Sequence, residues 1–119
     1  MSSSVKTSTG HLPAHDGTRL FVRQFFPESR IRAGVVIAHG LGEHSGRYRS
    51  LAEIFTRSDI LVTAFDHRGH GQSDGKRGHV NRFSDYILDL GRVTRQSSGD
   101  NPGSTPLFIL GHSMGGLIA

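Results

Sequence analysis

The sequence predicts an α/β fold in which a mostly parallel sheet is flanked by helices. Three short apolar runs, at 34–39, 60–65 and 107–110, are typical of strands that are buried on both faces. Segments with helical periodicity separate these runs, and such an alternation indicates parallel strands joined by right-handed crossovers. We therefore expect a single domain over residues 1–119, with the polar, Ser- and Thr-rich residues 1–10 flexible.

A hairpin is predicted to lead into the parallel part of the sheet. Asp16-Gly17 is a typical turn signal. It joins a weak strand pattern at Thr7–Pro13 to a stronger one at Arg19–Phe26. We expect these two segments to pair with each other.

Two segments have apolar residues at the i, i+3, i+4, i+7 spacing of an amphipathic helix. One lies between the first two apolar runs, and the other lies between the last two. Each predicts a helix that turns one apolar face toward the sheet. The two apolar faces are Tyr48, Leu51, Ala52 and Phe55, and Phe83, Tyr86, Ile87, Leu90 and Val93.

The composition is that of an ordinary globular protein and argues against several classes of function. The formal net charge is +4, but the longest basic run is Lys76-Arg77, so we predict a solvated basic surface and no nucleic-acid partner. The absence of Cys excludes a disulfide framework and a thiolate metal site. No apolar segment reaches the roughly 18 residues of a membrane span, and the N-terminus lacks a signal peptide. We expect a cytoplasmic protein without a transmembrane segment.

Residues 111–115, Gly-His-Ser-Met-Gly, match the G-x-S-x-G pattern, in which a serine stands on a tight turn between a strand and a helix. Ser113 follows a strong strand pattern and precedes residues 116–119, which can form a first helical turn. We therefore predict that Ser113 is a nucleophile. A second match, at 71–75, has no strand before it and no helix after it, so we interpret Ser73 as a chance occurrence of the pattern.

The loops that follow the three apolar runs should share one rim, because the carboxyl ends of parallel strands meet at one edge of a sheet. The backbone N–H groups of Leu41 and Met114 are the predicted donors of an oxyanion hole on this rim. Taken alone, His39-Gly40 is better explained as a tight turn with a histidine bonded to the backbone. Its predicted position opposite Ser113 favours the catalytic interpretation.

Three linked motifs carry a resemblance to a known family. They are HGLGEHSGRY at 39–48, FDHRGHGQS at 65–73 and GHSMGG at 111–116. In order and spacing they resemble the monoacylglycerol lipase and lysophospholipase group of α/β-hydrolases, often classed with the serine aminopeptidase S33-like domain. The resemblance implies the N-terminal half of an α/β-hydrolase fold, truncated just after the nucleophile elbow. It also implies a serine hydrolase that cleaves carboxylic esters through an acyl-enzyme at Ser113.

The resemblance further implies what surrounds the serine. It supports the two oxyanion-hole amides and implies no cofactor and no metal. The expected partner is a small lipid or ester substrate, with which a transient contact with a membrane surface is compatible. A capping or salt-bridge role is an equally good interpretation of the charged residues in the set near the polar head of the substrate. That set is Gly40, Glu43, His44 and Arg47.

The remaining histidines are interpreted as structural. His67 and His70 lack the Cys or H-E-x-x-H partners of a metal site, so we expect them to shape their loop. His112 is expected to be a packed or hydrogen-bonded neighbour of the serine. Asp66, His39 and His70 lie at the predicted rim, but a base must approach the serine oxygen from a particular side, and we do not expect any of them to supply it.

In this family the triad runs in the order serine, acid, histidine, and only six residues follow Ser113. We therefore expect the chain as given to be a partial domain that lacks the triad Asp and His and is inactive alone. The strand that ends at Leu110 would then expose an apolar edge, which predicts poor solubility unless a second chain completes the sheet.

Other functions stay open at this point. A non-catalytic fragment or a partner-binding half-domain is the alternative to an enzyme, and serine aminopeptidase activity is the alternative to ester hydrolysis. A flavodoxin-like nucleotide binder is disfavoured because no G-x-G-x-x-G follows the first apolar run.

Overall fold

One mixed sheet of five strands organises the part of the chain that the computed structural model describes, residues 6–28, 30–100, 103 and 105–119. In space the strands follow the order first, second, fourth, third, fifth. The first two neighbouring pairs are antiparallel and the last two are parallel. The strands are β1 (Lys6–Pro13), β2 (Arg19–Phe26), β3 (Ala33–Ala38), β4 (Ile60–Phe65) and β5 (Leu107–Gly111).

The predicted hairpin is formed by β1 and β2, which pair along their whole length. The Asp16 carboxylate accepts a hydrogen bond from the Thr18 N–H at 3.1 Å, and Gly17 has a φ of 86°. These are the features that an Asp-Gly turn supplies. Residues 6–10, which we expected to be flexible, form part of β1, whereas residues 1–5 lie outside the described residues.

Both faces of the parallel strands β3 and β4 are buried, as the unbroken apolar runs predict. Val36 and Phe65 pack into a core on one side of the sheet. Val35 and Val62 pack into a second core on the other side. Because successive side chains of a strand point to opposite faces, a strand covered on both sides needs an apolar residue at every position.

The two predicted helices cover these cores. A short 3-10 helix (Ser45–Tyr48) leads into α1 (Arg49–Arg57), and α2 (Phe83–Asp100) lies on the opposite face. Ala52 of α1 is fully buried. On α2 the buried apolar residues are Tyr86, Leu90 and Val93. None of the helices in the described ranges is long and apolar enough to cross a membrane.

The buried face of α2 differs from the predicted apolar face. Phe83 and Ile87 are exposed at 41% and 48%, whereas Asp85 and Asp89 are buried. The prediction was wrong for these two apolar residues because Arg68, from the loop after β4, reaches the helix. Its Nε and Nη2 donate to the two carboxylate oxygens of Asp89 at 2.7 and 2.8 Å, so the helix turns a charged pair toward the sheet.

The strand β5 is an edge of the sheet in the described residues and pairs with β3 alone. Phe108, Ile109 and Leu110 are exposed at 59%, 43% and 37%. The run is not buried on both faces here, because no strand lies beyond it and no long helix covers it within the described ranges. The expected apolar edge is present.

Candidate active site

Ser113 stands on a sharp turn between β5 and the short helix α3 (Met114–Ile118). Its φ of 57° and ψ of −117° lie in a region that non-glycine residues rarely adopt. Hydrogen bonds on both sides hold this conformation. The His112 N–H donates to the Ala38 carbonyl at 3.1 Å, and the Gly115 N–H donates to the His112 carbonyl at 2.9 Å. The strand–turn–helix geometry that the motif predicts is therefore present.

The two outer glycines of the motif are required by close packing. A Cβ on Gly111 would lie 2.5 Å from the carbonyl oxygen of Gly115. A Cβ on Gly115 would overlap the carbonyl oxygen of Ala38 in the neighbouring strand. Only glycine lets α3 begin directly against β3 and the end of β5.

The loop after β3 packs directly against this turn, as predicted for the rim. A Cβ on Gly40 would lie 3.3 Å from both the His112 carbonyl oxygen and the Ser113 Cβ. Residues 40–43 form a turn closed by the Glu43 N–H and the Gly40 carbonyl at 3.2 Å, with Gly42 at a φ of 75°. Glycine is favoured at the third position of such a turn.

The two amides that we predicted for an oxyanion hole both lie in this region. Leu41 occupies the second position of the turn, so its N–H is not used by the closing hydrogen bond. The N–H of Met114 is the first of α3, one of the donors that a helix leaves without an internal partner. Among the loop and turn hydrogen bonds of the described residues, neither amide is a donor.

Glu43 is the most connected side chain of this loop. Its Oε1 accepts hydrogen bonds from the Gly40 N–H at 2.8 Å and from the Tyr48 hydroxyl at 2.6 Å. Its Oε2 is paired with the guanidinium of Arg47, and its Oε1 lies 3.5 Å from Nδ1 of His112. The hydrogen bond of Tyr48 to Glu43 was not predicted, because the helical pattern placed Tyr48 only on the apolar face of the helix.

The other charged residues predicted near a substrate head group also have partners within the protein. His44 begins the 3-10 helix, and its Nδ1 accepts from the Gly46 N–H at 3.1 Å. Arg47 forms its ion pair with Glu43 while most of its side chain stays exposed. These contacts are the ones that the capping and salt-bridge interpretation describes.

Three histidines form a buried cluster at the ends of β3 and β4. His39 Nε2 accepts from the His67 N–H at 2.9 Å, so its Nδ1 carries the proton that is donated to the Gly40 carbonyl at 2.6 Å. His67 Nε2 donates to the His39 carbonyl at 2.8 Å, and His70 Nδ1 to the Arg68 carbonyl at 3.1 Å. These bonds fix the loops, as the structural interpretation of His67 and His70 predicts. His39 is also bonded to the backbone, which is the alternative that its predicted position opposite Ser113 disfavoured.

Burial keeps His39 and His67 neutral. Desolvation lowers the pKa of His39 to about 4, and desolvation together with the neighbouring His39 lowers the pKa of His67 to about 3. A histidine with such a pKa is a poor base for activating a serine near neutral pH. No group of three or more potential metal-ligating side chains is assembled within the described ranges.

Asp66 and Ser73 are structural partners. The Asp66 carboxylate is fully buried and accepts from the N–H groups of Ser45 at 2.6 Å and Gln72 at 2.9 Å. Burial alone would raise the pKa of Asp66, but these hydrogen bonds hold it below its ordinary value. The Ser73 hydroxyl accepts from the Phe21 N–H at 2.8 Å and donates to the Asp66 carbonyl at 2.5 Å. This buried role agrees with the interpretation of Ser73 as a chance match.

A cleft of about 400 Å³ opens beside the turn at 40–43. Leu41 and Glu43 line one side, and His70 and Arg77 line the other. Arg77 is held there by three backbone carbonyls, those of Gly71, Ser73 and Gly75. The cleft therefore has an apolar side chain and a fixed cation within reach of the same loop that contacts Ser113.

Comparison with known proteins agrees with this geometry. Residues 29–119 match the family described as serine aminopeptidase, S33. The chain is 46% identical over 109 residues to monoglyceride lipase of Homo sapiens, covering 92% of this chain and 36% of that protein. It is 42% identical over 102 residues to monoacylglycerol lipase of Mycolicibacterium smegmatis, covering 86% of this chain and 36% of that protein.

Among solved structures, the chain is similar to a thermostable carboxyl esterase from Bacillus coagulans. The TM-score is 0.85 at 26% sequence identity, over 95% of this chain and 38% of the esterase chain. The chain thus spans little more than a third of the length of the relatives that it matches.

Proposed function

The chain belongs to the serine aminopeptidase S33 family and has an α/β-hydrolase fold, and from this premise we propose that its protein hydrolyses carboxylic esters with Ser113 as nucleophile. The observation that carries this proposal is the strained turn at Ser113. It packs so closely against Gly40 that a Cβ added to Gly40 would lie 3.3 Å from the Ser113 Cβ. Backbone strain of about 1–3 kcal/mol persists where the surroundings enforce it, and such positions cluster at active sites.

The reaction that this geometry supports is acyl transfer to the serine. The Ser113 oxygen attacks the ester carbonyl carbon, and its proton passes to a base. The oxyanion that forms accepts hydrogen bonds from the N–H groups of Leu41 and Met114. Collapse of this intermediate expels the alcohol, which takes up the proton, and water then releases the acid from the serine. Losing one oxyanion donor typically lowers the rate by about 10²–10³-fold.

We further propose that the base and the acid of the triad are not among these 119 residues. The buried histidines His39 and His67 have low pKa values, and their ring nitrogens bond to the backbone. His112 turns Nδ1 toward Glu43. Asp66 is fully buried between two backbone amides. We therefore expect the 119-residue chain to be inactive alone.

For the substrate, we propose a monoacylglycerol or a lysophospholipid-like ester. Two relatives that are 46% and 42% identical to this chain are monoacylglycerol lipases, which supports a small lipid ester. The polar head would lie near Gly40, where His44 and the exposed part of Arg47 supply polar groups. Exposed Leu41 offers an apolar contact at the same loop.

Labelling with a fluorophosphonate tests the nucleophile and the missing base together. In the intact protein we expect wild type to be labelled and Ser113→Ala to remain unlabelled. In the 119-residue chain we expect no label on either. Label that survives Ser113→Ala in the intact protein would disprove the nucleophile, whereas label on the wild-type 119-residue chain would show that it contains a base.

A second candidate, a partner-binding half-domain, is favoured by one observation, the exposed apolar strand β5. An activity assay of the intact protein distinguishes the esterase, the aminopeptidase and the partner-binding half-domain. Turnover of a monoacylglycerol that disappears in Ser113→Ala supports the esterase. Turnover of an aminoacyl p-nitroanilide in its place would support the aminopeptidase. Absence of both activities would favour the binding role.

A further inference from the structure

The Glu43 carboxylate joins the turn that carries Leu41 to the residue next to Ser113. It bonds to the Gly40 N–H, to Tyr48 and to Arg47, and it lies 3.5 Å from the His112 ring. We propose that Glu43 is a positioning residue that fixes the backbone of the oxyanion-hole turn, and that it is not a ligand of the substrate. This inference rests on the proposed esterase function.

The turn is closed at both ends by Glu43. Its backbone N–H donates to the Gly40 carbonyl at 3.2 Å, and its side chain accepts from the Gly40 N–H at 2.8 Å. Leu41 lies between these two bonds, so its N–H cannot reorient unless one of them breaks. Loss of the side chain would therefore loosen Leu41 without touching the substrate.

The burial and partners of this carboxylate argue against substrate binding. The Glu43 side chain is only 12% exposed, and both of its oxygens have a partner within the protein. A substrate hydroxyl would have to compete with these bonds. Turning the carboxylate toward a substrate would take the acceptor from the part-buried Gly40 N–H and Tyr48 hydroxyl, which costs more than one new hydrogen bond returns.

Charge is the second constraint on Glu43. A carboxylate beside a developing oxyanion opposes the reaction, because like charges repel strongly where water is excluded. The Arg47 guanidinium offsets this charge through its ion pair with Glu43. Glu43 therefore holds the turn at 40–43 as part of a neutral ion pair with Arg47 and not as an isolated anion.

A matched control lies ten residues further along the chain, at Glu53. Glu53 and Arg49 also form an ion pair at a spacing of four residues, at 3.5 Å, but on helix α1. This pair has no hydrogen bond to the turn at 40–43 among the described residues. Glu53→Ala therefore removes the same kind of ion pair without loosening Leu41.

The experiment compares Glu43→Ala, Glu43→Gln, Tyr48→Phe and Glu53→Ala with wild type in the intact protein. Both kcat and KM are measured for a monoacylglycerol and for p-nitrophenyl acetate, which has no glyceryl head group. Amide hydrogen exchange at Gly40, whose N–H donates to the Glu43 carboxylate, is measured on the same proteins by NMR. The exchange measurement does not depend on activity, and Tyr48→Phe serves if Glu43→Ala fails to fold.

We expect Glu43→Ala to lower kcat by about 10- to 100-fold for both esters, since a misplacement of about 1 Å has effects of that size. Its KM should change little. Glu43→Gln keeps a carbonyl acceptor for Gly40 and should recover part of the rate, Tyr48→Phe should lose less than Glu43→Ala, and Glu53→Ala should match wild type. Exchange at Gly40, whose N–H is bonded to the Glu43 carboxylate, should be fastest in Glu43→Ala, intermediate in Glu43→Gln and slowest in wild type.

A rise in KM with the monoacylglycerol only, at unchanged Gly40 exchange, would overturn the inference and make Glu43 a head-group ligand. If wild type turns over neither ester and takes no fluorophosphonate label, the proposed function fails. Accelerated exchange of the Gly40 amide in Glu43→Ala would then still support the inference that Glu43 fixes the turn at 40–43. Unchanged exchange of that amide would refute it.

Discussion

At the scale of single residues, Ser113 combines two opposed requirements. Its hydroxyl must stand clear of the sheet, and this position requires a backbone conformation, with a φ of 57°, that residues with a side chain rarely adopt. The glycines on either side cannot relieve this strain, because Gly111 and Gly115 are packed against carbonyl oxygens. The strain therefore resides on the one residue that the proposed chemistry cannot replace.

This placement predicts a gain in stability when the side chain is removed. We expect Ser113→Gly to raise the free energy of unfolding by about 1 kcal/mol. Relief of the strain contributes about 1–3 kcal/mol, and the greater conformational entropy of glycine in the unfolded chain offsets part of that gain. Ser113→Ala keeps a Cβ, and therefore the strain, and serves as the control. Urea unfolding measures both. Equal stability of the two variants would mean that the turn is not strained.

Single residues also show why the hydrogen bond between Glu43 and the Gly40 N–H was not predicted. The motif places Glu43, His44 and Arg47 next to one another, and a sequence cannot distinguish charges that face a substrate from charges that bond to their own turn. The decisive fact is the hydrogen bond from the Gly40 N–H to Glu43 at 2.8 Å. A side chain that bends back over three residues leaves no periodic signal.

At the scale of elements, the strands were predictable and the buried face of α2 was not. The apolar runs of β3 and β4 report burial on both faces directly, because each position packs against a core. On α2 the buried position of Asp89 depends on Arg68, which precedes it by 21 residues in another element. Helical periodicity describes one element at a time, so it cannot predict a partner from a different loop.

Two buried histidines in the loops after β3 and β4 make the free energy of unfolding depend on pH. His39 and His67 have pKa values of about 4 and about 3 in the folded protein, lowered mainly by burial, against an ordinary 6.5. The unfolded chain therefore binds protons that the folded protein does not as the pH falls below 6.5. Each histidine contributes fully above that pH and loses about 2 kcal/mol of stability by pH 5.

Urea unfolding at pH 7.5 and at pH 5 measures this loss. A variant with His67→Phe should lose less stability between the two pH values, because one of the two titrating rings is gone, even if it is less stable at both. A free energy of unfolding that is the same at pH 7.5 and pH 5 would contradict the neutral, buried state of His39 and His67.

At the scale of the whole molecule, both edges of the described sheet are exposed, but the edge strand β1 is mostly polar and the edge strand β5 is apolar. The hairpin of β1 and β2 flanks β4, and the cores on both faces are centred on β3 and β4. On the other side, β5 exposes three consecutive apolar residues with no strand beyond it in the described ranges. An exposed apolar edge of this kind is a template for pairing with another strand.

We therefore predict that the 119-residue chain self-associates through β5. Phe108→Lys together with Ile109→Lys should shift its sedimentation toward the monomer, because charged side chains on an edge strand oppose edge-to-edge pairing. Ile54→Lys is the matched control, since Ile54 is similarly exposed at 56% but lies on helix α1, away from any strand edge. A wild-type chain that sediments as a monomer at all concentrations would refute the prediction. Equal dissociation by Ile54→Lys would instead trace the association to general surface hydrophobicity.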